Sequence, residues 1–208
     1  MKNVLSIFFI FISTLHSLFG QKYPFEKWDA DVLEKANTAK DCSYLSEDEK
    51  KVVFYTNLVR MNPKLFAETY LQQYLDSAEV EKSSYVTSLK KDLASAKKAN
   101  ALVPLKELYE SAESHAIKMG TSGREGHADY DKRLKKVEKK YSEYTGENCD
   151  YGFQNPLDIL IDLLIDEGVS GYGHRKNILN STYYYIGVSI QPHKKYKWNC
   201  VMDFCGKE

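Results

Sequence analysis

The chain has 208 residues, 43% hydrophobic and 28% charged, which places it among globular proteins and argues against extended disorder. Lys plus Arg and Asp plus Glu both number 29. No global field draws in nucleic acid or an anionic membrane, so any charged partner must be met locally.

The segment MKNVLSIFFIFISTLHSLFG, residues 1–20, carries a lysine near its start, an apolar run from Val4 to Ile12 and a more polar end closing on Gly20. This pattern is that of a secretory signal peptide cleaved near Gly20, and the apolar run is short for a membrane span. The mature protein is therefore expected to be soluble, outside the cytosol (secreted or periplasmic), without a stable membrane span. All four cysteines, Cys42, Cys149, Cys200 and Cys205, lie in the mature part, and an even number in an exported chain suggests two disulfides. Three pairings are possible. Cys200 and Cys205 point to opposite faces of one strand about 16 Å apart, which excludes their bridge; Cys42 with Cys205 and Cys149 with Cys200 is the preferred pairing.

Residues 21–45 read as a polar lead-in, followed by one domain over 46–208. SEDE, Ser46 to Glu49, is a capping box that predicts a helix start, and Asn62-Pro63 restarts or bends that helix. The Lys-rich segment 76–100 reads as a solvated, partly helical insertion. PLKELYESAESHAIKMG carries Leu105, Leu108, Tyr109, Ala112, Ala116 and Met119 at helical spacing and closes on Gly120. His115 falls on that apolar stripe, where a hydrogen-bonded core histidine is the expected role. DKRLKKVEKK, residues 131–140, reads as a solvated helix face.

A further helix opens on Asn155-Pro156, with Leu157, Leu160, Ile161 and Leu164 on one face and Asp158, Asp162 and Asp166 on the other, in water. Helical spacing returns Glu167 to the buried stripe at the last turn, where a carboxylate needs a proton, a cation or a donor. Gly168, Gly171 and Gly173 allow a turn that brings His174 back towards it. Alternation in YYYIGVSIQ and YKWNCVMDF predicts a terminal antiparallel hairpin with its turn at residues 192–195. Helices followed by a hairpin make an α+β, α-β-α layered domain. Asn180-Ser181-Thr182 is a glycosylation sequon.

No HExxH, GxSxG, P-loop, EF-hand loop or strand-linked GxGxxG is present. Histidines and carboxylates stand instead beside glycine turns: GHAD with His127, GENC with Glu147, and IDEG followed by GHRKNIL with Glu167 and His174. From about Ser46 to Phe204 the ordered set NLVRMNP, LYESAESHAIKMG, GHAD, GENC, IDEG, GHRKNILN, YIGVSI and WNCVMDF resembles the CAP superfamily. That superfamily comprises the cysteine-rich secretory proteins, antigen 5 and the plant pathogenesis-related proteins, and the resemblance is closest to bacterial-type SCP domains.

The resemblance implies a three-layer α-β-α sandwich with a central antiparallel sheet, and a cleft tetrad of His127, Glu147, Glu167 and His174. Such a tetrad suits a divalent cation: zinc by ligand type, calcium or magnesium where oxygen donors dominate. Three roles follow from these residues. The cleft is a cation-tuned binding module for a lipid, sterol or protein ligand, or a metal-assisted hydrolase using Glu147 or Glu167 as base, or a purely structural pair of Glu–His hydrogen bonds. Two departures limit the transfer. Leu164 stands where members often carry an aromatic, and the cysteine-rich C-terminal module is missing, so ion-channel activity linked to that module does not carry over.

Overall fold

The computed structural model describes residues 25–207; the expected signal peptide lies outside the described residues. Helices α1 (Ala30–Ala36), α2 (Glu47–Met61), α3 (Pro63–Phe66), α4 (Gln72–Ser77) and α5 (Ser84–Ser95) precede a short strand β1 (Val103–Pro104). Helices α6 (Lys106–Ser122) and α7 (Tyr130–Lys140) lead into β2 (Thr145–Tyr151), and α8 (Pro156–Ile165) and α9 (Gly173–Leu179) into the hairpin β3 (Tyr183–His193) and β4 (Lys197–Gly206). The sheet order is β1-β3-β4-β2. Its three long strands are antiparallel, and β1 adds two parallel residues at the β3 edge.

The sheet is covered on both faces. On β4, Cys200, Met202 and Phe204 join the large core built with α2, α5 and α8. Val201 and Cys205 point the other way, towards Ala112, Ala116 and Leu108 of α6. Helix α6 lies so close to β3 that a Cβ on Gly187 would come within 2.1 Å of the Leu108 carbonyl carbon. The result is the α-β-α sandwich expected from the sequence. Among the described residues no helix is long and apolar enough to cross a membrane.

The capping box at Ser46 forms as written, with Ser46 N donating to Glu49 Oε2 at 2.8 Å. The other oxygen of Glu49 accepts from Ile190 N at 2.9 Å, so a local cap also fixes α2 against β3. Asn155 accepts from Leu157 N and Asp158 N to start α8. Buried Arg60 donates to the carbonyls of Asn100, Ile178, Asn180 and Tyr183, tying α2 to the exit from α9. Burial lowers its pKa to about 10.

Several expectations are corrected. All four cysteines are free thiols. Cys149 pairs across the sheet with Val201, whereas Cys200 pairs with Asp150, so Cys149 and Cys200 point to opposite faces and cannot bridge. Cys205 faces α6 while Cys42 packs on the opposite core. The Lys-rich segment is no solvated insertion, since α5 buries Val86, Leu89 and Leu93. The lead-in carries α1, with Trp28, Ala36 and Ala39 in the main core. Helix α6 ends at Gly123, in the left-handed region at φ 72°, three residues beyond Gly120.

Candidate functional site

Strands β2 and β4 and the α6–α7 and α8–α9 loops meet at one end of the sheet. On β2 the odd residues face α6 and α7: Glu147 is 6% exposed and points to that side with Cys149. Residues Asn148 and Asp150 face α8 and α9. Asn148 Nδ2 donates to the His174 carbonyl at 3.0 Å and its Oδ1 accepts from Asn177 Nδ2 at 2.9 Å. GEN and GHRKN are thus stitched together.

His127 Nδ1 stands 2.8 Å from Glu147 Oε1. A carboxylate only accepts, so Nδ1 is the donor of this bond. His174 repeats the arrangement, with Nδ1 2.8 Å from Asp166 Oδ1. Asp166 Oδ2 also accepts from the backbone N of His174 at 3.0 Å and of Arg175 at 3.2 Å, starting α9. Neither Nε2 makes a hydrogen bond among the described residues. Each imidazole is therefore oriented by a buried carboxylate.

Those imidazoles line one open cavity of about 440 Å³ with Asp150, Asp162, Asp166 and Glu167. A larger hollow of about 540 Å³ beside α1 is lined by Lys40, Lys50, Lys51 and Phe54 and holds no histidine. Of these two, the first alone is lined by histidines.

The expected partner of His174 is corrected. Helix α8 ends at Ile165, and Asp166 takes a left-handed conformation at φ 58° that turns the chain away. Asp166 is 2% exposed and holds His174, while Glu167 is exposed on the cavity wall. The helical period ends at Ile165, two residues before Glu167. Asp166, placed in water by that same periodicity, is the desolvated carboxylate.

Arg133 was hidden in a Lys-rich run. Its Nη2 donates to Glu147 Oε2 at 2.5 Å, and its Nη1 lies 3.5 Å from Asp203 Oδ2. Burial pushes the Glu147 carboxyl up, but the His127 bond and the Arg133 charge outweigh it and hold the pKa at about 2. Asp203, wholly buried beside an ionised Glu147, is pushed well above the ordinary carboxylate range by burial first and by that charge second. Arg133 thus neutralises one carboxylate, and the second keeps its proton.

His115 Nε2, Glu147 and Cys149 Sγ lie within 4.8 Å of one another, a buried set with the donor types of a zinc site. His115 Nε2, however, already donates to the Gly126 carbonyl at 2.7 Å, and Glu147 is held by Arg133 and His127. That is the core role expected for His115. Burial raises the Cys149 thiol well above its ordinary value, so it is a poor nucleophile.

A family model described as "CAP: Cysteine-rich secretory protein family" matches residues 53–204. Among solved structures, an extracellular SCP-domain protein from Bacillus anthracis is 22% identical over 52% of this chain and 35% of its own, with a TM-score of 0.43. The chain thus spans about a third of that protein. An outer surface protein of Borrelia burgdorferi is 19% identical over 60% of this chain and 90% of its own, TM-score 0.44. The Schistosoma mansoni venom allergen-like protein 4 is 14% identical over 79% and 91%, TM-score 0.47. No curated protein matches the chain by sequence. The family match covers well over half of the chain, and the chain belongs to the CAP, or cysteine-rich secretory protein, family.

Proposed function

We propose that the protein is an exported recognition module whose cleft holds a divalent cation between His127 and His174 and presents it to a protein or lipid head group. The observation that carries this reading is the pair of carboxylate-backed imidazoles, His127 on Glu147 and His174 on Asp166, both of which line one open cavity. A histidine that ligates a metal characteristically donates its other ring N–H to a carboxylate, which fixes the tautomer and raises ligand basicity. Neutral imidazoles suit zinc first. Glu147 and Asp166 are then positioning residues, and Glu167 is an exposed carboxylate at the mouth that can reach the bound ligand. Bound there, a divalent cation supplies positive charge to a cleft whose wall is otherwise acidic. A polar group is the better occupant than an acyl chain, because the wall is dominated by ionisable side chains. The leading segment 1–20 supplies the export signal.

Binding is favoured over hydrolysis by the state of Glu147. A carboxylate with a pKa of about 2, ion-paired to Arg133, is a weak general base. The test is binding of head-group vesicles and of basic and acidic peptides to metal-loaded protein, with and without chelator, alongside a peptide and ester turnover screen. Retention lost with chelator and in His127→Ala/His174→Ala, without turnover, is the expected result. Turnover abolished alike by chelator and by Glu147→Gln or Glu167→Gln would replace the recognition module by a metal-assisted hydrolase.

A further inference from the structure

Helix α7 buries Leu134 and Val137 beside Leu108 of α6 and turns its other side to solvent. At about 100° per residue, Lys132, Lys135, Lys136, Lys139 and Lys140 fall within an arc of about 140° and span about 12 Å of axis. All five are exposed, and Asp131 and Glu138 lie outside the arc. Lys140 donates to Glu107 Oε1 at 2.6 Å, whereas the other four make no hydrogen bond or ion pair among the described residues. On α2, α3 and α6, by contrast, every lysine has a carboxylate partner, from Lys50 with Glu47 to Lys118 with Asp129. Like charges at i, i+3 and i, i+4 destabilise a helix, so Lys132 against Lys135 and Lys136, and these against Lys139 and Lys140, are a cost without an internal partner. The one arginine of the helix, Arg133, turns inwards to Glu147.

From this unmatched stripe we infer that the exposed face of α7 docks on an anionic phospholipid surface as a peripheral contact. The charges are complementary, and their form selects the partner. Lysine ammoniums on flexible stems are point charges suited to a diffuse anionic array, whereas bidentate reading of single phosphates is arginine chemistry. An exposed helix face is convex, and the cavity beside the histidines takes no residue from α7, so a plane fits the stripe better than a threaded polymer does. Tyr144, 61% exposed four residues past the helix, adds an amphipathic ring of the kind enriched at membrane interfaces. Leu134 and Val137 are already packed inside, so the contact is electrostatic and the helix does not insert. With Lys plus Arg equal to Asp plus Glu over the whole chain, the attraction is local to this face. It does not depend on His127 or His174 holding a metal.

The test is co-sedimentation of purified, metal-stripped protein with vesicles of equal parts phosphatidylglycerol and phosphatidylcholine at about 0.1 M salt, with phosphatidylcholine vesicles as the reference. The variants are Lys132→Gln/Lys135→Gln/Lys136→Gln/Lys139→Gln and, as an equal change of charge elsewhere, Lys82→Gln/Lys91→Gln/Lys97→Gln/Lys98→Gln, all at exposed positions. A lysine at an anionic surface is worth about fivefold in partitioning, so wild type should exceed its phosphatidylcholine level at least about a hundredfold. The α7 variant should fall to within about tenfold of that level, and the second variant should stay within about fivefold of wild type, because distant charges are screened. About 1 M salt should release wild type. Lys135→Gln/Lys136→Gln, expected to lose about twenty-fivefold, keeps the test valid if the quadruple α7 variant fails to fold. A folded wild type that binds both vesicles alike, or an equal loss in the two quadruple variants, would overturn the docking surface. Retention on immobilised polyphosphate that is lost in the α7 variant, without vesicle binding, would replace the lipid by a polymeric anion and overturn it equally.

Discussion

Replacing Glu147 with Gln removes the one negative charge that Arg133 and His127 share, without changing side-chain volume. The shift of the Glu147 carboxyl from its ordinary 4.5 to about 2 corresponds to about 3 kcal/mol of folding free energy. Because the folded pKa is depressed, that stability is present above pH 4.5 and is lost as pH falls towards 2. About 2 kcal/mol of it should disappear between pH 6 and pH 3. Asp203 moderates the loss in the variant, since without the Glu147 charge it can ionise and pair with Arg133, 3.5 Å away. Glu147→Gln should therefore cost about 1–3 kcal/mol at pH 6, and Glu147→Gln/Asp203→Asn should cost more by leaving Arg133 without a partner. The assay is urea denaturation of wild type and variants at pH 6 and pH 3, where other carboxylates cancel in the difference. A wild-type advantage of the same size at both pH values would refute the claim that Arg133 and His127 hold Glu147 ionised.

Arg60→Ala leaves four carbonyls without their donor, two of them buried, and should destabilise by about 3–5 kcal/mol; denaturant midpoints check this, with Arg60→Lys falling between. Gly187→Ala drives a Cβ into the backbone of α6 and should cost about 1–3 kcal/mol or more in thermal unfolding. Gly173→Ala, with nothing within 4 Å, should be neutral or stabilise by about 0.4–1 kcal/mol. Alkylation without reductant should label Cys42 ahead of Cys149, Cys200 and Cys205 in native protein and all four after denaturation, read by intact mass. A product carrying two labels fewer would show a disulfide and contradict the free thiols.

Elements with their own chemical punctuation were legible in the sequence: the Ser46 capping box, the Asn155-Pro156 start and the alternation of the terminal hairpin each appear where local hydrogen bonding puts them. Helices α1 and α5 were not, although each carries a side-chain cap, Asp29 accepting from Asp31 N and Ser83 from Val86 N: α1 has no clear period, and α5 hides its three buried residues among lysines. At the site, the resemblance points to His127, Glu147 and His174, of which the structure joins His127 to Glu147 and sets His174 on Asp166. It misplaced the second acid because periodicity cannot see the left-handed turn at Asp166, which buries that side chain and exposes Glu167. Arg133 is the only arginine in a run of lysines, a weak signal for bidentate carboxylate binding that composition alone does not raise. Alternation in WNCVMDF does not show that both faces of the strand are covered, so Asp203 under α6 carries no sequence signal, and only the cross-strand register reveals that Cys149 and Cys200 face apart.

The central claim is that His127 and His174, each backed by a buried carboxylate, offer their free nitrogens to one divalent cation. Isothermal titration of metal-stripped protein with zinc, wild type against His127→Ala/His174→Ala, tests it most directly. One zinc at micromolar affinity or tighter (about −8 kcal/mol), lost in the double variant and weakened in Asp166→Asn, is the predicted result. A folded wild type that takes up no zinc, or a double variant that binds it unchanged, would contradict it.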